Sequence, residues 1–118
     1  MRVCILGSGL TAITLAKALV NQNIFVDLVP SNKIDKINHS RTLGISESNF
    51  NYFNRNITNI EKISWKLNKI EIFNDKNKNE KLLNFENNNN QLFSIIKNYQ
   101  LYEVLNKNLF KNKYFKKI

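Results

Sequence analysis

The sequence predicts an α/β fold that opens with a parallel strand–helix–strand unit, and three segments predict it. Val3 to Leu6 is a continuous apolar run halted by Gly7, the pattern of a strand buried on both faces. Leu10 to Val20 has helical length, is rich in Ala and Leu, and is apolar almost all round, so a buried helix is expected. Ile24 to Val29 is a second apolar run, stopped by Pro30 and Ser31. Asn21-Gln22-Asn23 turns the chain between helix and second strand, because Asn tolerates left-handed backbone. The spacing is that of a parallel unit.

The remaining elements follow in order. Residues 31 to 40 form a polar connection, and Arg41 to Ile45 is short and extended. Ser46 is placed to cap a helix running to about Asn54, with Phe50 and Phe53 on one side. Trp65 to Leu67 is ambiguous. Lys69 to Phe73 alternates polar and apolar residues, as a half-buried strand does. A polar turn over Asn74 to Asn79 leads to a returning strand marked by Leu82, Leu83 and Phe85. The polar loop Asn87 to Asn90 precedes another strand, Leu92 to Ile96. Asn98 is expected to cap a helix with Leu101, Val104, Leu105 and Leu109 at helical spacing, and a basic tail with Tyr114 and Phe115 follows.

Length and composition fit this reading. A chain of 118 residues corresponds to one domain and can bury a core. The formal charge of +9 invites an anionic partner such as nucleic acid or a membrane surface. Against that, Asn, Lys and Ile are the commonest residues and share A/T-rich codons, so the charge fits a mutational bias. The lysines are scattered, and only Lys111, Lys113, Lys116 and Lys117 cluster. The single cysteine, Cys4, excludes an intrachain disulfide and is expected to be a buried thiol in a reducing compartment. The first apolar run is too short for a signal peptide, and no run approaches the roughly 20 apolar residues of a membrane span. A cytoplasmic protein is expected.

One motif carries chemistry. Gly7-Ser8-Gly9-Leu10-Thr11-Ala12 lies directly between strand and helix and matches the dinucleotide-binding fingerprint, with Ala12 in the third glycine's place. Gly7 permits the tight turn. Gly9 lets a pyrophosphate approach the backbone. Ala12 is small enough for close helix–sheet packing, and the helix start offers free N–H groups to phosphate. The fold expected is therefore a Rossmann-like β-α-β start with an inserted β-hairpin and an incomplete parallel sheet. The fingerprint also calls for an acid at the end of the second strand, to hold the ribose hydroxyls. Pro30 stands there; Asp27 lies too early in the strand, and Ser31 offers a weaker hydrogen bond.

Beyond the fingerprint, Arg41-Thr42-Leu43-Gly44-Ile45-Ser46 resembles the Arg-x-x-x-Leu/Ile-Ser stretch of the para-hydroxybenzoate hydroxylase-like flavin monooxygenases. Lys69 to Asp75 with Leu82 to Phe85 resembles that family's β-hairpin. Phe93 to Leu105 resembles its Gly-x-Val-Val-Glu-Asn-Arg-x-Leu-x-x-x-Leu segment, with Lys97 and Tyr99 standing where the family has glutamate and arginine. The order and spacing are most similar to the ubiquinone-biosynthesis hydroxylases. The resemblance implies FAD held by Gly7, Ser8, Gly9, Leu10, Thr11 and Ala12, with Arg41 beside it. It implies NAD(P)H as reductant and an aromatic or quinone-precursor substrate in a complete enzyme, in the cytoplasm and peripheral to the inner membrane. Residues 1–118 then represent a truncated N-terminal segment of an FAD/NAD(P)-binding domain. The family's later Gly-Asp motif and most of its substrate-binding sheet have no counterpart, which implies a second chain completing the fold.

Other chemistries find less support. His39 is the only histidine and has no Cys or acid at ligand spacing, so no metal site is expected. Ser46 and Ser48 lack a His-Asp setting for nucleophilic catalysis. Trp65 and the Phe and Tyr residues read as packing residues. The alternative function is a small basic nucleic-acid-binding protein without catalysis, which gives no reason for the Gly7–Ala12 motif; no specific nucleic acid is expected.

Overall fold

The computed structural model describes residues 1–31, 38–86 and 91–118. Its elements run β1 (Arg2–Leu6), α1 (Leu10–Asn21), β2 (Phe25–Val29), β3 (Thr42–Ser46) and α2 (Glu47–Asn56), then a single 3-10 turn at Glu61–Ile63. There follow β4 (Ser64–Leu67), β5 (Lys69–Phe73), β6 (Lys81–Glu86), β7 (Phe93–Lys97), α3 (Asn98–Phe110) and β8 (Phe115–Lys117). The expected loop Asn87 to Asn90 lies outside the described residues, as does most of the polar connection after Ser31.

The strands form three groups. β1, β2 and β8 make a parallel sheet with β2 in the middle, Arg2 opposite Phe25 and Leu6 opposite Val29. This is the α/β, Rossmann-like start that the sequence predicts. β3 and β4 flank β7 in an antiparallel sheet. β5 and β6 form the expected hairpin, with a bulge at Ile72/Phe73. The basic tail is thus partly a strand. Val26 donates to the carbonyl of Tyr114, and Ile118 donates to that of Leu28, so the tail closes the open edge of β2.

The core lies between the parallel sheet and its helices. Ile13, Ala16 and Val20 of α1 meet Leu101, Leu105 and Leu109 of α3, together with Val26 and Leu28 of β2. Burying each large aliphatic side chain contributes about 1.5–3 kcal/mol relative to leaving it exposed. The C-termini of α1 and α2 are tied by Asn21, whose Nδ2 donates to the carbonyls of Asn56 (2.8 Å) and Ile57 (2.9 Å). Asn23 takes the left-handed conformation expected of it, at φ 59°.

Several local expectations are corrected. β1 is covered on one face only. Ile5 is buried, whereas Arg2, Cys4 and Leu6 face outward and Leu6 is 79% exposed. Both helices pack on the face carrying Ile5, Val26 and Leu28, and strand side chains alternate sides, so Cys4 is an exposed thiol. α1 is not buried all round, since Thr11 and Leu15 are exposed. Trp65 belongs to β4 rather than the core and is 58% exposed, with the Lys97 ammonium 5.5 Å from its ring centroid. Asn98 does not cap α3. It is the first helical residue, and Lys97 occupies the cap position without a side-chain bond.

The molecule measures 55 × 32 × 21 Å with a radius of gyration of 17.6 Å. A compact chain of this length has roughly 13–14 Å. The hairpin accounts for part of this extension, since all six residues of β6 are exposed.

Candidate dinucleotide site

The site is built where β1 ends. Gly7 has φ 115°, a backbone region that side chains other than glycine rarely adopt. Its N–H donates to the carbonyl of Val29 at 2.8 Å, fixing the turn to the end of β2. Gly9 is extended at φ −71° and ψ 173° and occupies the cap position of α1. A Cβ built on Gly9 meets nothing within 4 Å. The space in front of this backbone is open, as a closely approaching ligand group requires.

The start of α1 is chemically unsatisfied among the described residues. Gly9 supplies no side-chain cap, and the first turn contains no acid. The first helical bond runs from Ile13 N–H to the Gly9 carbonyl (3.1 Å), so the amides of Leu10, Thr11 and Ala12 have no intrahelical acceptor. Such amides, with the helix dipole behind them, favour an anion. α2 shows the contrasting arrangement. There Ser46 accepts from the Asn49 N–H at 3.4 Å, as expected of a capping serine, and Glu47 occupies the first turn. Ala12 is half-buried against the core. Ser8 is half-buried in the turn itself.

Beside the turn lies a pocket of about 480 Å³ lined by Leu6, Gly7, Val29, Pro30 and Ser31. No acid lines it among the described residues. Asp27 is directed elsewhere, its carboxylate accepting from the Arg2 guanidinium at 3.1 Å on the uncovered face of the sheet.

Arg41 sits just before β3 with its side chain exposed. Its carbonyl accepts from the Asn98 N–H at 3.0 Å, joining the start of β3 to the start of α3. His39 is exposed in the preceding turn and packs against Tyr99, ring centroids 4.4 Å apart. β3 approaches α1 further on, because Leu43 and Ile45 share a cavity with Leu10, Thr11, Thr14 and Leu15. This apolar cavity of about 450 Å³ escapes the sequence reading. Its only trace there is the helical spacing of Thr11, Thr14, Leu15 and Ala18.

The chain aligns with PqsL, a probable FAD-dependent monooxygenase from Pseudomonas aeruginosa, at a TM-score of 0.78 and 12% identity over 100% of its length. It aligns with p-nitrophenol 4-monooxygenase PnpA from Pseudomonas putida DLL-E4 at 0.77 and 11% identity over 99%. The value for 2,6-dihydroxypyridine-3-hydroxylase from Arthrobacter nicotinovorans is 0.69, at 14% identity over 98%. The fold is one that hydroxylases and monooxygenases share. The chain spans about a third of their length, covering 33%, 32% and 28% of those proteins. No family model and no curated protein sequence matches it. No helix among the described residues is long and apolar enough to cross a membrane.

Proposed function

We propose that this chain is the FAD-gripping segment of a flavin-dependent monooxygenase that hydroxylates an aromatic ring. The observation that carries the reading is the turn after β1. Gly7 is held at positive φ, Gly9 is open in front, and the uncapped start of α1 stands directly behind them. These residues fit the ADP half of FAD. The open backbone at Gly9 receives the pyrophosphate, the amides of Leu10, Thr11 and Ala12 donate to it, and Ser8 lies in the same turn. On the resemblance of the Arg41–Ser46 stretch, Arg41 is the residue whose guanidinium would donate a charge-assisted hydrogen bond to the cofactor. When bound, the flavin supplies the redox and oxygen chemistry of hydroxylation, with NAD(P)H as reductant.

The ubiquinone-biosynthesis branch, a quinone-precursor substrate and a cytoplasmic setting peripheral to the inner membrane belong to the same proposal. They rest on the resemblance of the Arg41–Ser46 and Phe93–Leu105 stretches. So does a second chain completing the fold. Large apolar side chains exposed at Leu6, Leu15, Leu82, Leu83 and Phe85 support that last point.

The test is a competition titration. FAD fluorescence is followed on adding the purified chain, and ADP or FMN is then added as competitor. ADP is expected to displace FAD and FMN is not, because FMN lacks the ADP half. Displacement by FMN, or no FAD binding at all, contradicts the reading. The 118-residue chain alone is expected not to couple NAD(P)H oxidation to hydroxylation.

A further inference from the structure

The basic tail forms an ordered surface that the cofactor reading leaves without a role. α3 ends at Phe110, and the chain turns through Lys111 to Tyr114 into β8. The turn is held by its own bonds. The Asn112 N–H donates to the Leu109 carbonyl at 2.9 Å, the Phe115 N–H to the Asn112 carbonyl at 3.1 Å, and the Tyr114 N–H to Asn112 Oδ1 at 2.9 Å. Lys111 and Lys113 are exposed on this turn. Two exposed rings flank it. Phe25, at the start of β2, packs against Tyr114 with centroids 4.9 Å apart, and Phe110 packs against Phe115 at 5.9 Å.

Cations stand over these rings. The Arg2 guanidinium lies 5.4 Å from the Phe25 centroid, the Lys113 ammonium 5.1 Å from that of Tyr114, and the Lys117 ammonium 5.9 Å from that of Phe110. Asp27, opposite Lys116 in the sheet, is already paired with Arg2. The surface is therefore cationic and apolar at once. An anionic bilayer satisfies both characters, because ammonium groups meet headgroup phosphates while aromatic rings enter the boundary with the acyl chains. A nucleic acid uses the charge, but base stacking needs open ring faces. Here cations and neighbouring rings already sit against them.

β1, β2 and β8 are parallel, so their starts share one end of the sheet. The Gly7–Gly9 turn lies at the other end, five strand residues or roughly 17 Å away. We propose that the surface formed by Phe25, Phe110, Lys111 and Lys113 docks the protein on an anionic lipid bilayer, with the candidate dinucleotide turn facing away from it. This gives the membrane-peripheral setting proposed above its contact surface, and it stands apart from the cofactor reading.

Vesicle flotation of the full chain tests the proposal, since aggregates stay at the bottom of the gradient. The probes are vesicles of phosphatidylglycerol with phosphatidylcholine and vesicles of phosphatidylcholine alone. The chain is expected to float with the first and not with the second. Lys111→Gln with Lys113→Gln is expected to lower the bound fraction by roughly tenfold or more. Lys76→Gln with Lys78→Gln, the same charge change at the exposed tip of the hairpin, is expected to leave it unchanged. Phe110→Ala is expected to weaken binding without any change of charge. Flotation with neither vesicle, or equally with both, overturns the proposal. So do equal losses from the two lysine pairs, which reduce the effect to net charge. Short duplex DNA that competes the chain off the vesicles, and whose own binding falls equally in the Lys111/Lys113 variant, assigns the surface to nucleic acid instead. FAD titration of the same preparations reports the cofactor site separately.

Discussion

The N–H of Gly7 donates to the carbonyl of Val29 at 2.8 Å, and this bond ties the turn after β1 to the end of β2. Gly7 can place its N–H there because it has φ 115°. A Gly7→Ala variant forces an L side chain into that region, at a cost of about 1–3 kcal/mol. Urea denaturation is expected to show a loss of that size. A variant as stable as the wild type contradicts the assigned conformation.

Gly44 and Phe93 make a second demand of this kind. A Cβ on Gly44 lies 2.1 Å from Phe93 Cε1, so the aromatic ring occupies the place of a side chain. Gly44→Ala is expected to destabilise by about 1–3 kcal/mol through overpacking. Adding Phe93→Leu should recover part of the loss, and a thermodynamic cycle over the two substitutions measures it.

Leu105 is fully buried between α3 and the core. Leu105→Ala is expected to cost about 2–5 kcal/mol, the range for emptying a packed aliphatic site. Trp65→Ala should change stability far less, because Trp65 is 58% exposed. Equal losses for the two variants would reverse the assignment of core and surface.

Glu71 gives a pH signature on the hairpin. The hydrogen bond from Lys69, then that from Lys81, holds the Glu71 carboxyl below the usual carboxylate range. The same pairing with Glu71 raises Lys69 above the usual lysine value. A depressed carboxylate contributes stability that is present above its unfolded pKa and fades as pH falls through the folded value. Both lysines that pair with it are exposed at the surface, so the effect on stability is small. NMR titration should place the Glu71 midpoint below that of an ordinary glutamate, and Lys69→Met should move it upward.

The net charge leads to an expectation about nucleic acid. Binding to DNA or RNA should be weak, unselective and rapidly lost as salt rises, because scattered lysines contact phosphates only. Tight sequence-selective binding in a mobility-shift assay near physiological salt would favour the basic-protein alternative.

Much of the fold was legible where local pattern and tertiary environment agree. The Val3–Leu6 and Ile24–Val29 runs, the Ser46 cap and the hairpin all have local signals, and all form. The second face of β1 was not legible. An apolar run reads as doubly buried, yet Leu6 and Cys4 face outward because both helices lie on the other side. β8 was missed because Phe115–Lys117 carries two lysines and gains its order from pairing with β2, a contact no local pattern encodes. Asn98 has the chemistry of a cap, but helical backbone begins one residue too early for it to act as one. Gly44 likewise gave no sign that a distant Phe93 ring requires it.

At the candidate site, the turn at Gly7 and the helix start after Gly9 were legible because glycine spacing encodes backbone geometry: Gly7 has positive φ and Gly9 precedes α1. The role of Arg41 came from resemblance alone, and its exposed position before β3 neither orients nor pairs its side chain among the described contacts.

The central claim is that the Gly7–Ala12 turn holds a pyrophosphate, and Gly9 offers the most direct test of it. Gly9 has ordinary negative φ and open space around it, so a valine there should leave the fold intact. Its side chain would fill the space assigned to the phosphates. Calorimetric titration of FAD and ADP against wild type and Gly9→Val, with matched circular dichroism spectra, is the decisive measurement. The wild type is expected to bind both, and the variant to lose at least tenfold in affinity. Equal binding by two equally folded proteins would contradict it.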